Sequence, residues 1–333
     1  MRLDLAASRA FSLSRRAARE AVRAGRIEVD GVAADEPGRD VPETAKLAFH
    51  PSRPARYRVS TRLSVLLEDD DFVIVDKPAG LLSVPTAEHE SDTLLARTLD
   101  YLHHRFGRRP LAFVVHRLDK DTSGSIVFAR NRPALRFLQD LFKSHAIERE
   151  YLALVEGTVP DSGTFSADLV ADAGSARRGV ARPGEQGKRA VTRYRAIERL
   201  ARATLVSVEL ETGRTHQIRV HFAAAGHPVL GDRVYGESRR ESRVLGGSRE
   251  SRVKSRESKL PESPRQMLHA RRLGFPHPRT GKPVRAEAPL PEDFVAVLED
   301  LRRKSKVEGR RSKVEDKKKA PRASPGRSRN SRL

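Results

Sequence analysis

An α+β fold is predicted for this chain of 333 residues by two observations. A segment alternating basic and apolar residues at helical spacing runs into a short strand and tight turn, and further on brief apolar runs bounded by turn formers read as strands. The first element is LSRRAAREAVRAG, residues 13–25, ending on Gly25, a residue suited to close a helix. The strand RIEVDG follows and turns at Asp30–Gly31, so a helix and a β-hairpin form a small domain over residues 1–50. Pro51, Pro54 and the basic residues between them read as a linker over 51–60, and a second domain is expected over 61–300. That domain opens with SVLLEDDDFVIVDKPAG, two apolar runs split by Asp69, Asp70 and Asp71 and closed by a Lys77–Gly80 turn. Adjacent carboxylates point in different directions, so the triplet reads as a solvated hairpin turn in preference to a metal site.

Composition narrows the function classes. There is no Cys, which excludes disulfides, thiol nucleophiles and Cys-ligated metals and permits a reducing cytoplasm, the expected location. The Arg, Ser and Ala bias of the first 20 residues resembles a transit peptide, but Asp4 and Glu20 interrupt it. No apolar run approaches the ~20 residues that would cross a bilayer. The net charge of +21 points to an anionic partner, and 5% aromatic content argues against binding by base stacking alone. Much of that charge lies in two low-complexity stretches. Residues 237–265, built from SRES-like units, hold 9 Lys or Arg against 5 Asp or Glu, and residues 302–333 hold 14 against 3. Neither has an apolar period, so a disordered insert over 237–265 and a disordered tail over 301–333 are expected, tethering phosphates without reading bases.

The chemistry concentrates in LAFVVHRLDKDTSGSIVFARN, residues 111–131. Leu111–Val115 and Ser125–Ala129 read as buried strands, and between them Asp119 sits on a turn-rich connection flanked by His116, Arg117 and Lys120, cations that would favour its charged form. A nucleophile aimed at a polyanion has this appearance; so does an Asp that only shapes a turn. Spacing leaves both open.

The unbroken string HRLDKDTSG, His116–Gly124, resembles the catalytic motif of the RluA family of pseudouridine synthases. That resemblance implies a mixed, mostly antiparallel sheet with a central RNA-binding cleft, and an enzyme that isomerises uridine in RNA without cofactor or metal. It places the attacking aspartate on Asp119 and an arginine that contacts the flipped nucleotide on Arg117. Tyr151, in EREYLALVEG, matches the family's active-site tyrosine, with Arg149 where Lys is usual, and is assigned general base. ETGRTHQIRVHFAAAGHPVLGDRVYG, residues 211–236, matches a third motif, in which Arg219 pairs with the aspartate while Arg214 supports a phosphate or the turn. GKRAVTRY matches a further strand, with Lys188, Thr192 and Tyr194 shaping the RNA groove. Asp76 stands where Asn is usual.

The basic helix and hairpin resemble the small RNA-binding domain named after ribosomal protein S-four, which implies RNA contacts at Arg15, Arg16, Arg19 and Arg23; a solvated basic face is the alternative. Large-subunit ribosomal RNA is the expected partner and transfer RNA the second, with the protein a monomer. Two rivals stand beside this reading: a non-catalytic RNA-binding assembly protein, and a metal-dependent nuclease using His216, His221 and His227. His216 and His221 lie about 140° apart on a helix, unlike the i, i+4 pairing of helical ligands.

Overall fold

In this computed structural model, residues 1–34, 36–52, 63–86, 88, 90–106, 110–171, 177–236 and 260–319 are described. Most of the expected linker, most of the insert and residues 320–333 lie outside them. Two compact units divide the chain: Met1–Arg149 with Ala270–Pro289, and Glu150–His269 with Leu290–Leu333.

The first unit begins with helices α1 (Leu3–Ala10) and α2 (Arg15–Arg23), then strands β1 (Ile27–Val29), β2 (Val32–Ala34) and β3 (Leu47–Phe49) in the antiparallel order β2-β1-β3. Ser14 caps α2 by accepting from the Ala17 amide. At the other end Gly25, with φ 64°, donates to Val22, and Arg26 donates to Ala21, the paired bonds of a Schellman stop. Asp30 and Gly31 both have positive φ, 53° and 82°, as a two-residue type I′ hairpin requires. The segment read for transit-peptide bias holds α1 and the first part of α2, and Leu3, Ala6 and Ala7 of α1 pack against Ala18, Val22 and Ile27.

The same unit continues with β4 (Ser64–Glu68), β5 (Phe72–Lys77), α3 (Leu94–Phe106), β6 (Phe113–Val114), β7 (Ser123–Ala129) and α4 (Arg132–Lys143), and later β13 (Leu268–Pro276) and β14 (Pro283–Glu287). Strand β7 is buried along its whole length, antiparallel to β5 with Gly124 opposite Lys77. Helix α4, capped by Asn131, packs Ala134 and Leu138 onto Ile74, Val127 and Phe275. The predicted strand at Leu111–Val115 shrinks to Phe113–Val114, because Leu111 is exposed.

The second unit holds β8 (Glu148–Glu156, entering it at Glu150), β9 (Ser162–Ala171), β10 (Arg178–Val180), β11 (Lys188–Leu200) and β12 (Ala203–Leu210), antiparallel neighbours in the order β10-β9-β11-β12-β8. Two helices complete it, α5 (Gln217–Ala224) and α6 (Glu292–Lys319). Phe294, Val297, Leu298 and Leu301 of α6 pack on Leu152, Leu154 and Leu205. The expected disordered tail is corrected in part, since α6 runs on to Lys319. Its residues there are good helix formers, and Arg303 and Lys304 pair with Asp300 one turn back. Among the described residues, no helix is long and apolar enough to cross a membrane.

Candidate active site

The Asp119 connection is held by its main chain. The Ser83 hydroxyl accepts from the Leu118 amide and donates to the Leu118 carbonyl, at 3.1 and 2.9 Å. Lys77 is fully buried, and its ammonium donates to the carbonyls of Lys120 (2.7 Å) and Pro78 (2.9 Å), while the Gly80 amide also reaches the Lys120 carbonyl. Thr122 closes the turn by donating to the Asp119 carbonyl. At Gly124, φ is 112° and an added Cβ would lie 2.2 Å from the Ala270 carbonyl oxygen, so only glycine lets β7 approach there. Five residues from Asp119 the chain is therefore fixed by a close backbone contact, and on either side of it by buried donors.

Of the flanks, Arg117 and Lys120 are exposed cations, but His116 supplies no charge. Its Nε2 accepts from the Val127 amide, its ring stacks on Phe142 at 4.5 Å, and burial together with the Arg149 guanidinium lowers its pKa to about 3. A ring that accepts at Nε2 carries its proton on Nδ1 and stays neutral. His116, expected to touch RNA, is a buttress under the loop, and Arg149 extends that stack with its guanidinium 5.3 Å from the Phe142 ring.

In the second unit Tyr151 is a buried residue of β8 opposite Val208. Arg219 on α5 is bound by Asp232 through Nε (2.6 Å) and Nη2 (3.0 Å), and it lies 5.0 Å from the Tyr235 ring. Asp232 also accepts from the amides of Val234 and Tyr235. Ahead of α5, Gln217 ties the turn to β11. Its Oε1 accepts from Thr212 Oγ1 and the Arg214 amide, and its Nε2 donates to the Val191 carbonyl and Thr192 Oγ1. All four hydrogen-bonding positions of that amide are used. Asp232 and Gln217 were missed by sequence reasoning, although both lie within the matched segment.

Other expected residues divide. Lys188 is exposed at the start of β11, whereas Thr192 and Tyr194 are buried, with Tyr194 stacked on Phe165. Arg214 is exposed and donates to the Arg189 carbonyl, the turn-supporting alternative. The three histidines bond elsewhere: His216 to the Tyr235 hydroxyl, His221 to Thr192 and His227 to the Glu156 carbonyl. The acidic triplet is only partly a solvated turn. Asp71 is buried and bonded to Arg279 (2.7 Å) and Asn131 (2.7 Å), with Asp69 3.3 Å from His277. Asp69, Asp71 and His277 are close enough to share a metal, but His277 accepts at Nδ1 from the Arg279 amide, which leaves its Nε2 a proton donor to Asp69, and Arg279 already neutralises Asp71. On α2, Arg15 is exposed, Arg16 pairs with Glu88, and Arg19 reaches the buried Asp4; the Arg23 side chain lies outside what is described.

Residues 71–224 match the RNA pseudouridylate synthase family model, and residues 1–46 match the S4 domain model. Ribosomal large subunit pseudouridine synthase D of Pseudomonas aeruginosa is 38% identical over 84% of this chain and 85% of its own length. The protein of that name from Xanthomonas campestris is 40% identical over 73% of this chain and 70% of its own. The solved structure of human RNA Pseudouridylate Synthase Domain Containing 4 shares the fold, with a TM-score of 0.56, 24% identity and coverage of 72% of this chain and 93% of that one. With the motif at His116–Gly124 and an S4 domain ahead of it, the chain belongs to the RNA pseudouridylate synthase family and is an RNA pseudouridine synthase.

Proposed function

We propose that the enzyme isomerises uridine in large-subunit ribosomal RNA, with Asp119 as the nucleophile at ribose C1′. The relatives' names and the N-terminal RNA-binding domain favour that RNA. The observation that carries the assignment of Asp119 is the loop's anchoring: Lys77, Ser83 and Gly80 grip main-chain atoms on both sides of the residue. Catalysis by a fixed group needs this arrangement, since placing a nucleophile within near-attack distance removes much of the entropic barrier.

In the reaction, the bond from C1′ to uracil N1 breaks, the base turns, and C1′ bonds to uracil C5, whose proton then leaves while N1 takes up a proton from solvent. Atoms balance without a donor or oxidant. Asp119 takes the sugar while the base turns, Tyr151 accepts the C5 proton, and Arg219, held by Asp232, orients the nucleophile through a guanidinium that does not compete as a base. The uridine must first leave its stack, at a cost of about a few kcal/mol. Arg117, exposed beside Asp119, fills the vacated place with its planar head. Lys188, Arg15 and Arg16, exposed cations, serve phosphates.

Tritium release from 5-tritiated uridine in unmodified ribosomal and transfer RNA tests the proposal. Release from large-subunit ribosomal RNA alone is expected. Release only from transfer RNA would move the target, and tight binding of either RNA with no release would make the protein a binder.

A further inference from the structure

A groove of about 700 Å³ lies in the first unit between α2 and the segment that follows β5, walled by Arg15, Arg16, Arg19 and Glu20 of α2 on one side and by Glu88, Glu90 and Asp92 on the other. Its acidic wall is unevenly committed. Glu90 accepts from the amide and hydroxyl of Thr86, and Asp92 holds Arg97 through two bonds of 2.7 and 2.8 Å, so both brace their own segment. Glu88 reaches across, 3.2 Å from the Arg16 guanidinium, with both side chains largely exposed. Arg19 is drawn the other way by the buried Asp4.

We infer that the segment bearing Glu88 is a built-in competitor for RNA phosphate at α2. This inference rests on α2 being a surface that contacts RNA. A phosphate oxygen and a carboxylate oxygen bind a guanidinium in the same way, so Arg16 cannot serve both at once. The magnitudes decide which wins. An exposed ion pair contributes little, whereas RNA engages several cations at once and gains from counterion release. Large RNAs that meet the enzyme at many phosphates therefore displace Glu88, and short or glancing contacts at α2 do not. The acidic wall lowers the affinity of every RNA that uses Arg16 by the same small factor, and only the first class, with phosphate contacts to spare, stays bound.

The test measures binding of fluorescein-labelled, in vitro transcribed large-subunit ribosomal RNA by anisotropy across a potassium chloride series, using the full chain, Glu88→Gln, Arg16→Gln and the double variant. Glu88→Gln is expected to tighten binding about two- to fivefold at low salt, the range of one exposed ion pair, and to lose that gain as salt screens it. In the Arg16→Gln background the same change should have no effect. Arg16→Gln binding that is weaker, together with no tightening by Glu88→Gln or equal tightening in both backgrounds, would overturn the competitor and leave α2 as an RNA surface. Arg16→Gln binding unchanged at every salt concentration would overturn both.

Discussion

The loop of Asp119 and the turn ahead of Arg219 are fixed by opposite means. Around Asp119, scaffold side chains bind the loop's main chain: the buried ammonium of Lys77 takes the Lys120 carbonyl and the hydroxyl of Ser83 takes the Leu118 carbonyl. At Arg219, the functional side chain is itself gripped, by Asp232, while Gln217 locks the turn through four side-chain bonds. In the proposed mechanism, the group that bonds to substrate is placed by its backbone, and the group that orients it is placed by its head. Preorganisation of both kinds lets chemistry proceed without moving the protein.

Substitutions can break or sharpen this contrast. The largest effect outside Asp119 is expected at Tyr151. Tyr151→Phe keeps the ring in β8 and should slow turnover by about 10²–10⁴, the worth of a placed base; single-turnover tritium release measures it, and a near-normal rate would return Tyr151 to the core. Lys77→Met should come next. It strips the Pro78 carbonyl of its ammonium donor and leaves the Lys120 carbonyl to the Gly80 amide alone, at about 1–3 kcal/mol of stability, and lets the Asp119 loop drift. Urea denaturation and kcat should fall together, with RNA affinity kept; unchanged kcat in the folded variant would mean that the loop holds without its ammonium.

Gln217→Ala should be milder, at the low end of that range by the same reasoning, because backbone bonds survive around it. Its discriminating readout is kcat against KM. If Gln217 positions Arg219, kcat falls at constant KM, and if it positions Arg214 for phosphate, KM rises.

The smallest effect should appear at Asp76, which burial pushes up to about 6. A carboxyl whose folded pKa lies above its unfolded value stabilises the fold while protonated, and that contribution is lost as pH rises through about 6. Asp76→Asn, which restores the family's usual residue, should remove this pH dependence and gain on the order of 1 kcal/mol at neutral pH, discounted for partial exposure. Thermal melting from pH 5 to 8 checks it, and an unaltered pH profile would show that Asp76 ionises freely.

How much of this was legible follows from sequence distance. The motif around Asp119, the α2 helix with its Gly25 stop and the Asp30–Gly31 hairpin are local patterns, and local chemistry determines them. Lys77 meets Lys120 across 43 residues and Ser83 meets Leu118 across 35, so no spacing rule connects them. A buried lysine is also rare enough that Lys77 reads as part of a surface turn. Thr192 and Tyr194 were assigned to the groove by motif, but both side chains are buried. The tail misled for another reason: a run without apolar period lacks a core, yet its Lys, Arg and Glu propagate a helix that Phe294–Leu301 has already nucleated by packing.

The central claim is that Asp119 acts in chemistry and not in recognition. Asp119→Asn preserves the side chain's size, and Lys77, Ser83 and Gly80 anchor the loop through main-chain atoms. Paired measurement of tritium release and RNA dissociation constant, wild type against Asp119→Asn, should show turnover abolished and affinity within a fewfold. Substantial turnover in the variant, or affinity lost in step with rate, would contradict the account.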